Sequence, residues 1–254
     1  GLEGIEIVAL CDIDSARNEE VSSWVTDDGR APPAMYGRDE TDFVRMCETE
    51  DLDLVFTATP WEWHVPVCVS AMENGKHAAT EVPAAYTTDD CWRLVEYAEK
   101  YRKHCVMMEN CNYDRPEMMV FHMARLGLFG DILHAECGYL HDLREIKFSD
   151  VGEGLWRRAH SMVRDGNLYP THGLGPVANV MDINRGDQFE YLVSMSSPSQ
   201  GLQEWAMANY PESHLKRSER YVLGDVNTTM IKTVRGRTIY LSHDTNLPRP
   251  YSRI

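Results

Sequence analysis

The order of its apolar runs constrains this chain more than any other feature. Through the first 112 residues, short β-rich runs alternate with helix-length segments. "LDLVFTAT" (52–59) is a continuous apolar strand of the kind a parallel sheet buries on both faces. His64 to Asn74 reads as a helix closed by Gly75, and "KHAATEV" as a short strand broken by Pro83. Thr87 or Thr88 caps a helix running to about Lys103. Trp92, Val95 and Ala98 share one of its faces, and Asp89 and Asp90 stand in its first turn, where free N–H groups favour negative charge. "CVMMEN" follows as another strand, and the opening "GLEGIEIVALCDID" carries a run of Ile5, Ile7, Val8 and Leu10 that ends at Asp12. Parallel neighbours require a crossover, and helices of this length supply it, so the pattern predicts βαβ units in a doubly wound sheet.

After about Asn112 the pattern changes. A helix over 116–126 leads into "DILHAECGYLHD", a strand with polar alternation, and Leu143 to Asn167 reads as an irregular loop region. Thr171–Gly175 then starts a helix in which Leu174, Val177, Ala178 and Met181 recur at helical spacing. "FEYLVSMSS", "RYVLGDVNTTMIKTV" and "RTIYLSHDT" alternate with a period of two, and "VRGRT" is a glycine-containing hairpin turn between the last two. The expected architecture is α/β. A Rossmann-like doubly wound domain (1–112) precedes an α+β domain (113–254) with an open, mostly antiparallel sheet.

Composition removes several functions. A net charge of −15 over 254 residues argues against a nucleic-acid phosphate surface, and no apolar run approaches the length of a membrane-spanning helix. Seven cysteines without a CxxC pair suggest mostly buried free thiols. Ten histidines fall in no HExxH or HxH spacing, and no GxSxG elbow exists, so a zinc hydrolase and a serine hydrolase both lack their motifs. "HGLGP" (172–176) lacks the Lys-Ser/Thr of a phosphate loop, and its glycines suit close helix packing.

Ligands of a doubly wound sheet bind at the carboxyl ends of its strands, here Asp12, "TPWEWH" (59–64), "EVP" (81–83) and "ENCNY" (109–113). Asp12 occupies the place of an acid that takes ribose hydroxyls in a dinucleotide-binding fold, and it also suits an ordinary turn. The preceding strand and its glycine-rich loop would lie upstream of residue 1, so the chain reads as trimmed at both ends. In the second half, Tyr169 and His172 sit where a helix begins, which suits either a site or a plain cap.

Seven motifs in order, "TPWEWHVPV", "TEVP", "ENCNY", "GEGLWRR", "LYPTHGLGPV", "GDVNTTMIKT" and "HDTNLPRPYSR", resemble the glycoside hydrolase family 109 branch of the Gfo/Idh/MocA oxidoreductase-like proteins. The likeness runs across essentially the whole chain. It implies an NAD-dependent α-N-acetylgalactosaminidase. The implied route is oxidation at C3 of the sugar, deprotonation at C2, elimination of the aglycone, water addition and re-reduction. Such a route needs a nicotinamide and proton-transfer groups of intermediate pKa rather than two carboxylates. Most of the wider superfamily carries Glu-Lys-Pro where this chain has Glu81-Val82-Pro83. The missing lysine speaks for the glycosidase branch.

Carried onto this sequence, the resemblance implies catalytic roles for Tyr169, His172 and Tyr113, without deciding which of Tyr169 and His172 takes which proton. It implies sugar contacts from Tyr139, Arg157, Pro170, Thr171 and Tyr251. NAD contacts would come from Asp12, Trp61, Glu62, Trp63, His64, Glu81, Val82 and Asn110, with no metal. Tyr113 also suits a packed aromatic, Trp63 a core position, and Arg157 an ion pair with Glu153. An acid pair among Glu81, Glu109 and Glu153 stays open. The implied partner is a glycan or glycoconjugate ending in N-acetylgalactosamine, with no nucleic acid and no membrane span. Family members are often exported by a twin-arginine signal, which would lie upstream of residue 1. Two other readings compete. One is an NAD(P)-dependent sugar oxidoreductase. The other is a non-enzymatic piece unable to hold NAD, whose exposed edge would drive self-association into a homo-oligomer or aggregate.

Overall fold

The computed structural model describes residues 3–252, and the chain divides into two units, residues 1–108 and 109–254. The first is built of parallel strands and helices in strict alternation. The elements are β1 (Ala9–Cys11), α1 (Ser15–Asp27), β2 (Ala34–Tyr36), α2 (Phe43–Thr49), β3 (Leu54–Thr57), α3 (Trp61–Glu73), β4 (His77–Thr80), α4 (Thr88–Tyr101) and β5 (Cys105–Met107). β1 pairs with β2, and β4 lies between β3 and β5, every pair parallel. The predicted punctuation is present. Thr87 Oγ1 accepts the Asp90 N–H at 3.1 Å to cap α4, and Gly75 takes φ +77 just past α3. Cys47, Val55, Cys68, Ala71, Met72 and Ala78 form the centre of the core.

Three expectations are corrected here. β3 is buried on one face, not two: Val55 and Thr57 are buried, while Leu54 and Phe56 are each 52% exposed. Side chains alternate across a strand, and Phe56 aligns through Ala79 with Val106, another exposed apolar residue on the same face. In α4 the inward stripe is Leu94, Tyr97, Ala98 and Tyr101, whereas Trp92 and Val95 face outward. Spacing of three, four and seven residues decides the buried face, and Trp92 lies off it. The opening strand is confined to Ala9–Cys11, with Ile5 and Ile7 exposed ahead of it.

The second unit opens with a 3-10 turn, Asn110–Tyr113. There follow α5 (Arg115–Arg125), β6 (His134–Leu140), α6 (Arg144–Phe148), α7 (Gly154–Val163), α8 (Thr171–Val180), β7 (Phe189–Ser196), α9 (Gly201–Asn209), β8 (Asn227–Thr233) and β9 (Thr238–Asp244). The sheet order is β6-β9-β8-β7. β7–β8 and β8–β9 are antiparallel, and β6 joins β9 in parallel. Gly236, at φ +84, makes the hairpin between β8 and β9. The apolar face of α8 behaves as its spacing predicts: Val177 and Met181 are buried against Cys137, Ile231, Ile239 and Leu241, with Leu174 and Ala178 packed beside them.

The segment read as an irregular loop, Leu143 to Asn167, holds α6 and α7 instead. Gly154 explains the misreading. A Cβ there would overlap the Ser149 carbonyl oxygen and lie 2.6 Å from that of Ile146, so the glycine permits two helices to meet rather than breaking one. α9 likewise starts at a glycine, Gly201, pressed against the Asn246 backbone. Among the described residues, no helix is long and apolar enough to cross a membrane.

Candidate functional site

The second unit gathers aromatic and titratable side chains at the start of α8. Asn167 Oδ1 accepts the Tyr169 N–H at 3.0 Å, fixing the turn before the helix, and Pro170 stands at its N-cap. His172 is thus one residue inside the helix. Its ring lies 4.7 Å from that of Tyr169 and 5.4 Å from that of Tyr139, and the two tyrosine rings meet edge-on at 4.9 Å. Tyr139 comes from β6. Its hydroxyl hydrogen-bonds His141 Nδ1 at 3.1 Å. Beyond β9 the chain returns to pair with β6, Leu140 and Ser252 exchanging two backbone hydrogen bonds of 2.9 Å. That pairing seats the Tyr251 ring 4.5 Å from His141 and 6.2 Å from Tyr139. Arg157, from α7, spreads its guanidinium 5.3 Å over the Tyr169 ring and pairs with Glu153 at 2.7 Å. The ion pair with Glu153 is present, and a planar fork that pairs at its edge can also stack on its face, as it does on Tyr169.

Beneath the tyrosines lies a charged layer. Lys147 is 2% exposed, and its Nζ donates to Thr245 Oγ1 at 2.8 Å and Asn246 Oδ1 at 2.7 Å. Burial, with Arg157 nearby, pulls the Lys147 ammonium down to about 7, although Asp244 and Asp225 oppose the shift. His243 faces Tyr139 across the β6–β9 register, its ring stacked at 6.4 Å. Burial first, then the positive charges of Lys147 and Arg157, lowers it to about 3 and keeps it neutral. Burial pushes the Tyr169 phenol well above its ordinary value despite the lowering influence of Arg157.

On its other side His172 meets the 3-10 turn. Glu109 is 1% exposed, and its Oε1 lies 2.7 Å from His172 Nδ1 while accepting the Cys111 N–H at 2.9 Å. Burial alone would raise the Glu109 carboxyl. The His172 hydrogen bond and, when the ring is protonated, its charge outweigh burial together with the Cys111 N–H and the Thr171 hydroxyl, and the group is held below its ordinary value. Gly175 makes this approach possible, since a Cβ there would stand 3.0 Å from Glu109 Cγ and 3.3 Å from Asn112 Oδ1. Asn112 in turn accepts from Asn179 Nδ2 at 3.0 Å, tying the turn to α8.

Glu109, Cys111 and His172 offer three donor atoms within 4.8 Å of one another, enough to consider a metal ion. Nδ1 and Oε1 are at hydrogen-bonding distance, and Cys111 Sγ approaches the same nitrogen at 3.4 Å.

The structure thus brings together Tyr139, Arg157, Tyr169, Pro170, Thr171, His172 and Tyr251 of the predicted residues. Tyr113 stands 70% exposed at the end of the 3-10 turn, and Asn110 is exposed within it. Sequence reasoning did not place Lys147, His141 or His243 here, and it held Glu109 only as one of three acids. No spacing rule joins residues this distant. The one available signal is that Glu109 and His243 fall inside quoted motifs.

In the first unit, Asp12, Glu81 and Val82 follow strand ends, and Trp61 to His64 form the first turn of α3. Asp12 follows β1, its Oδ1 accepting the Asp14 N–H at 2.8 Å. Asn18 Nδ2 holds the Asp12 carbonyl at 3.0 Å, and a Cβ at Gly37 would overlap that same oxygen. Trp61 is buried, Glu62 exposed, and Trp63 packs edge-on against Phe43 at 6.0 Å. His64 is 1% exposed and bridges two carbonyls, Thr59 at 2.8 Å and Pro83 at 2.7 Å, so its ring ties the loops after β3 and β4 together. Glu81 is half-buried after β4, and Val82 is buried beside the cis Val82–Pro83 bond.

Comparison with known proteins agrees with this layout. Residues 113–254 match the family model for the C-terminal domain of glycosyl hydrolase 109, and residues 2–109 match that of the oxidoreductase family with an NAD-binding Rossmann fold. Over 253 residues the chain is 50% identical to a glycosyl hydrolase family 109 protein of Shewanella pealeana, covering 99% of this chain and 56% of that one. A relative of the same description from Shewanella baltica is 47% identical over 253 residues, with 99% and 55% covered. The chain therefore spans a little over half the length of the curated relatives it matches. Two solved structures share the fold. One is a probable dehydrogenase of Thermotoga maritima, with TM-score 0.70, 14% identity, and 98% of this chain and 64% of that one covered. The other is a scyllo-inositol dehydrogenase of Lactobacillus casei with bound NAD(H) and scyllo-inositol, with TM-score 0.70, 12% identity, and 99% and 65% covered.

Proposed function

The chain belongs to glycosyl hydrolase family 109, and from that premise we propose that it removes terminal α-N-acetylgalactosamine from a glycan by an NAD-dependent elimination. The observation that carries this reading is the packed Tyr139–Tyr169–His172 cluster, a set of proton-handling groups in which the nearest buried carboxylate, Glu109, is turned onto the histidine. A glycosidase working with two carboxylates needs both of them at the sugar.

The first unit fits the cofactor. Its Asp12 carboxylate accepts the Asp14 N–H at a strand end, Asn18 holds the Asp12 backbone carbonyl, Gly37 leaves that carbonyl room, and Glu81 stands at the end of β4. Asp12 and Glu81 would hold ribose hydroxyls, with Trp61, Glu62 and Val82 among the further contacts, whereas His64 and Trp63 are occupied within the unit. NAD, when bound, supplies reversible hydride acceptance at C3 of the sugar.

The remaining steps belong to side chains of this chain. With C3 at the ketone level, the C2 proton is acidic enough for an imidazole to take it. His172 removes that proton, and the C2–H electron pair becomes the C1=C2 double bond as the C1–O bond breaks. The departing oxygen takes a proton from Tyr169, whose phenol is kept protonated by burial. Water then adds at C1, giving its second proton back to the Tyr169 phenolate, and the proton on His172 returns to C2. Tyr139, Arg157 and Tyr251 hold the ring, and Tyr113 closes over it.

The test is 4-nitrophenyl α-N-acetylgalactosaminide in deuterium-enriched water, with and without added NAD⁺. Nitrophenol release with deuterium at C2 of the product is expected, and His172→Ala, which removes the C2 base, should slow it about 10²-fold. Release without C2 exchange would refute the elimination. NADH accumulating from free sugar, with no nitrophenol, would favour a sugar oxidoreductase instead.

A further inference from the structure

We propose that Glu109 is the positioning residue of this site: it fixes the His172 imidazole with its proton on Nδ1 and so leaves Nε2 as the base. The inference rests on the glycosidase reading for the role of Nε2, but not for the tautomer itself.

The geometry decides the tautomer. His172 Nδ1 and Glu109 Oε1 are 2.7 Å apart, and both side chains are buried, at 5% and 1% exposure. A contact of that length requires one proton between the two atoms. The Cys111 N–H donates to the same Oε1 at 2.9 Å, and these contacts hold the Glu109 carboxyl below its ordinary value, so that it is ionised and accepts rather than donates. The proton therefore sits on Nδ1. The Cys111 thiol, 3.4 Å from that nitrogen, does not compete, because a donor pointed at Nδ1 would leave the nitrogen lone pair facing the carboxylate. Nε2 has no hydrogen-bond partner among the described residues.

The carboxylate is itself held firmly. Glu109 caps its own 3-10 turn through the Cys111 N–H, so its rotamer is locked by backbone. Gly175 gives α8 the close approach that puts His172 within reach, and the Asn112–Asn179 hydrogen bond fastens the same two elements. The rings of Tyr139 and Tyr169 pack against the imidazole. When Nε2 takes the C2 proton, the ring becomes an imidazolium whose charge lies against the Glu109 carboxylate. Both the starting tautomer and the charged product are then favoured by one group.

The experiment is long-range ¹H–¹⁵N spectroscopy of the whole chain labelled with ¹⁵N-histidine, with His172 assigned by its absence in His172→Gln. Proton on Nδ1 in the wild-type chain is expected, and proton on Nε2 would overturn the proposal. Kinetics of Glu109→Gln and Glu109→Asp supply the second readout. Glu109→Gln should lose about 10²-fold in kcat with KM within about twofold, and Glu109→Asp should recover part of it by restoring the charge. Unchanged kcat in a folded Glu109→Gln protein would also overturn it. The wild-type spectrum needs no substrate and no variant fold at Glu109. Nδ1–H without glycosidase activity would therefore refute the glycosidase reading while leaving the tautomer established.

Discussion

Lys147 offers a prediction whose size follows from the structure. Its ammonium is enclosed at 2% exposure and hydrogen-bonds the neutral oxygens of Thr245 and Asn246, and the opposing charges of Asp244 and Asp225 do not offset its burial. Burial therefore brings its pKa to about 7, against about 10.4 for a lysine in an unfolded chain. Between these values the unfolded chain binds a proton that the folded chain has given up, so stability must rise with pH across that window. The cost of the buried charge is fully present below pH 7 and is relieved as the pH approaches 10. Integrating one proton over this shift gives about 2 kcal/mol of added stability between pH 7 and pH 9. Buried thiols act in the opposite direction. Burial raises Cys11 to about 11 and Cys137 to about 12, which costs stability once unfolded thiols begin to ionise. Urea unfolding of wild type and Lys147→Met at pH 7, 8 and 9 isolates the lysine, because the thiols contribute equally to both proteins. The difference should change by about 2 kcal/mol in favour of the wild type as pH rises. Parallel stability curves would mean that Lys147 stays charged in the fold and that burial is not the controlling effect.

Two glycines give further expectations. Gly175→Ala should leave stability within about 1 kcal/mol of wild type, because the helix propensity gained offsets the crowding of Glu109 Cγ at 3.0 Å. It should still lower kcat about tenfold by shifting Glu109 away from His172, which steady-state kinetics beside a denaturation curve would separate. Gly37→Ala should displace Asp12 through overlap with its carbonyl oxygen and weaken NAD binding at least about tenfold, read by titration of protein fluorescence. An unchanged NAD affinity would remove Asp12 from the cofactor contacts.

Local order was readable wherever the cause is local. The Thr87 cap, the left-handed Gly75, the Gly236 hairpin and the Leu174–Val177–Ala178–Met181 stripe each depend on a few adjacent residues. Glycines were ambiguous for a physical reason: a missing side chain serves a turn and a close contact equally well. Gly154 looked like loop punctuation and is a packing contact between α6 and α7, which hid both helices. Apolar residues were ambiguous in the same way. Leu54, Phe56, Trp92 and Val95 have the hydrophobicity of a core, but burial depends on which face a neighbour covers.

The sequence by itself determined the alternation of strand and helix in the first unit, the change of architecture after about Asn112, the absence of metal and serine-hydrolase motifs, and the identities of Tyr139, Arg157, Tyr169, His172 and Tyr251 as candidates. The first three follow from periodicity, turn chemistry and motif spacing, which act over short stretches of chain, and the candidates from the resemblance that the seven motifs carry. Only the tertiary structure decided their chemistry. Glu109 and His172 are 63 residues apart, and His243 meets Tyr139 through the β6–β9 register. Desolvation, which sets the protonation of Lys147, Tyr169 and His243, and the contacts that overcome it at Glu109 are properties of the surrounding atoms and not of the residue. A hydrogen-bonded pair, a tautomer and a shifted pKa exist only once distant segments have been packed together.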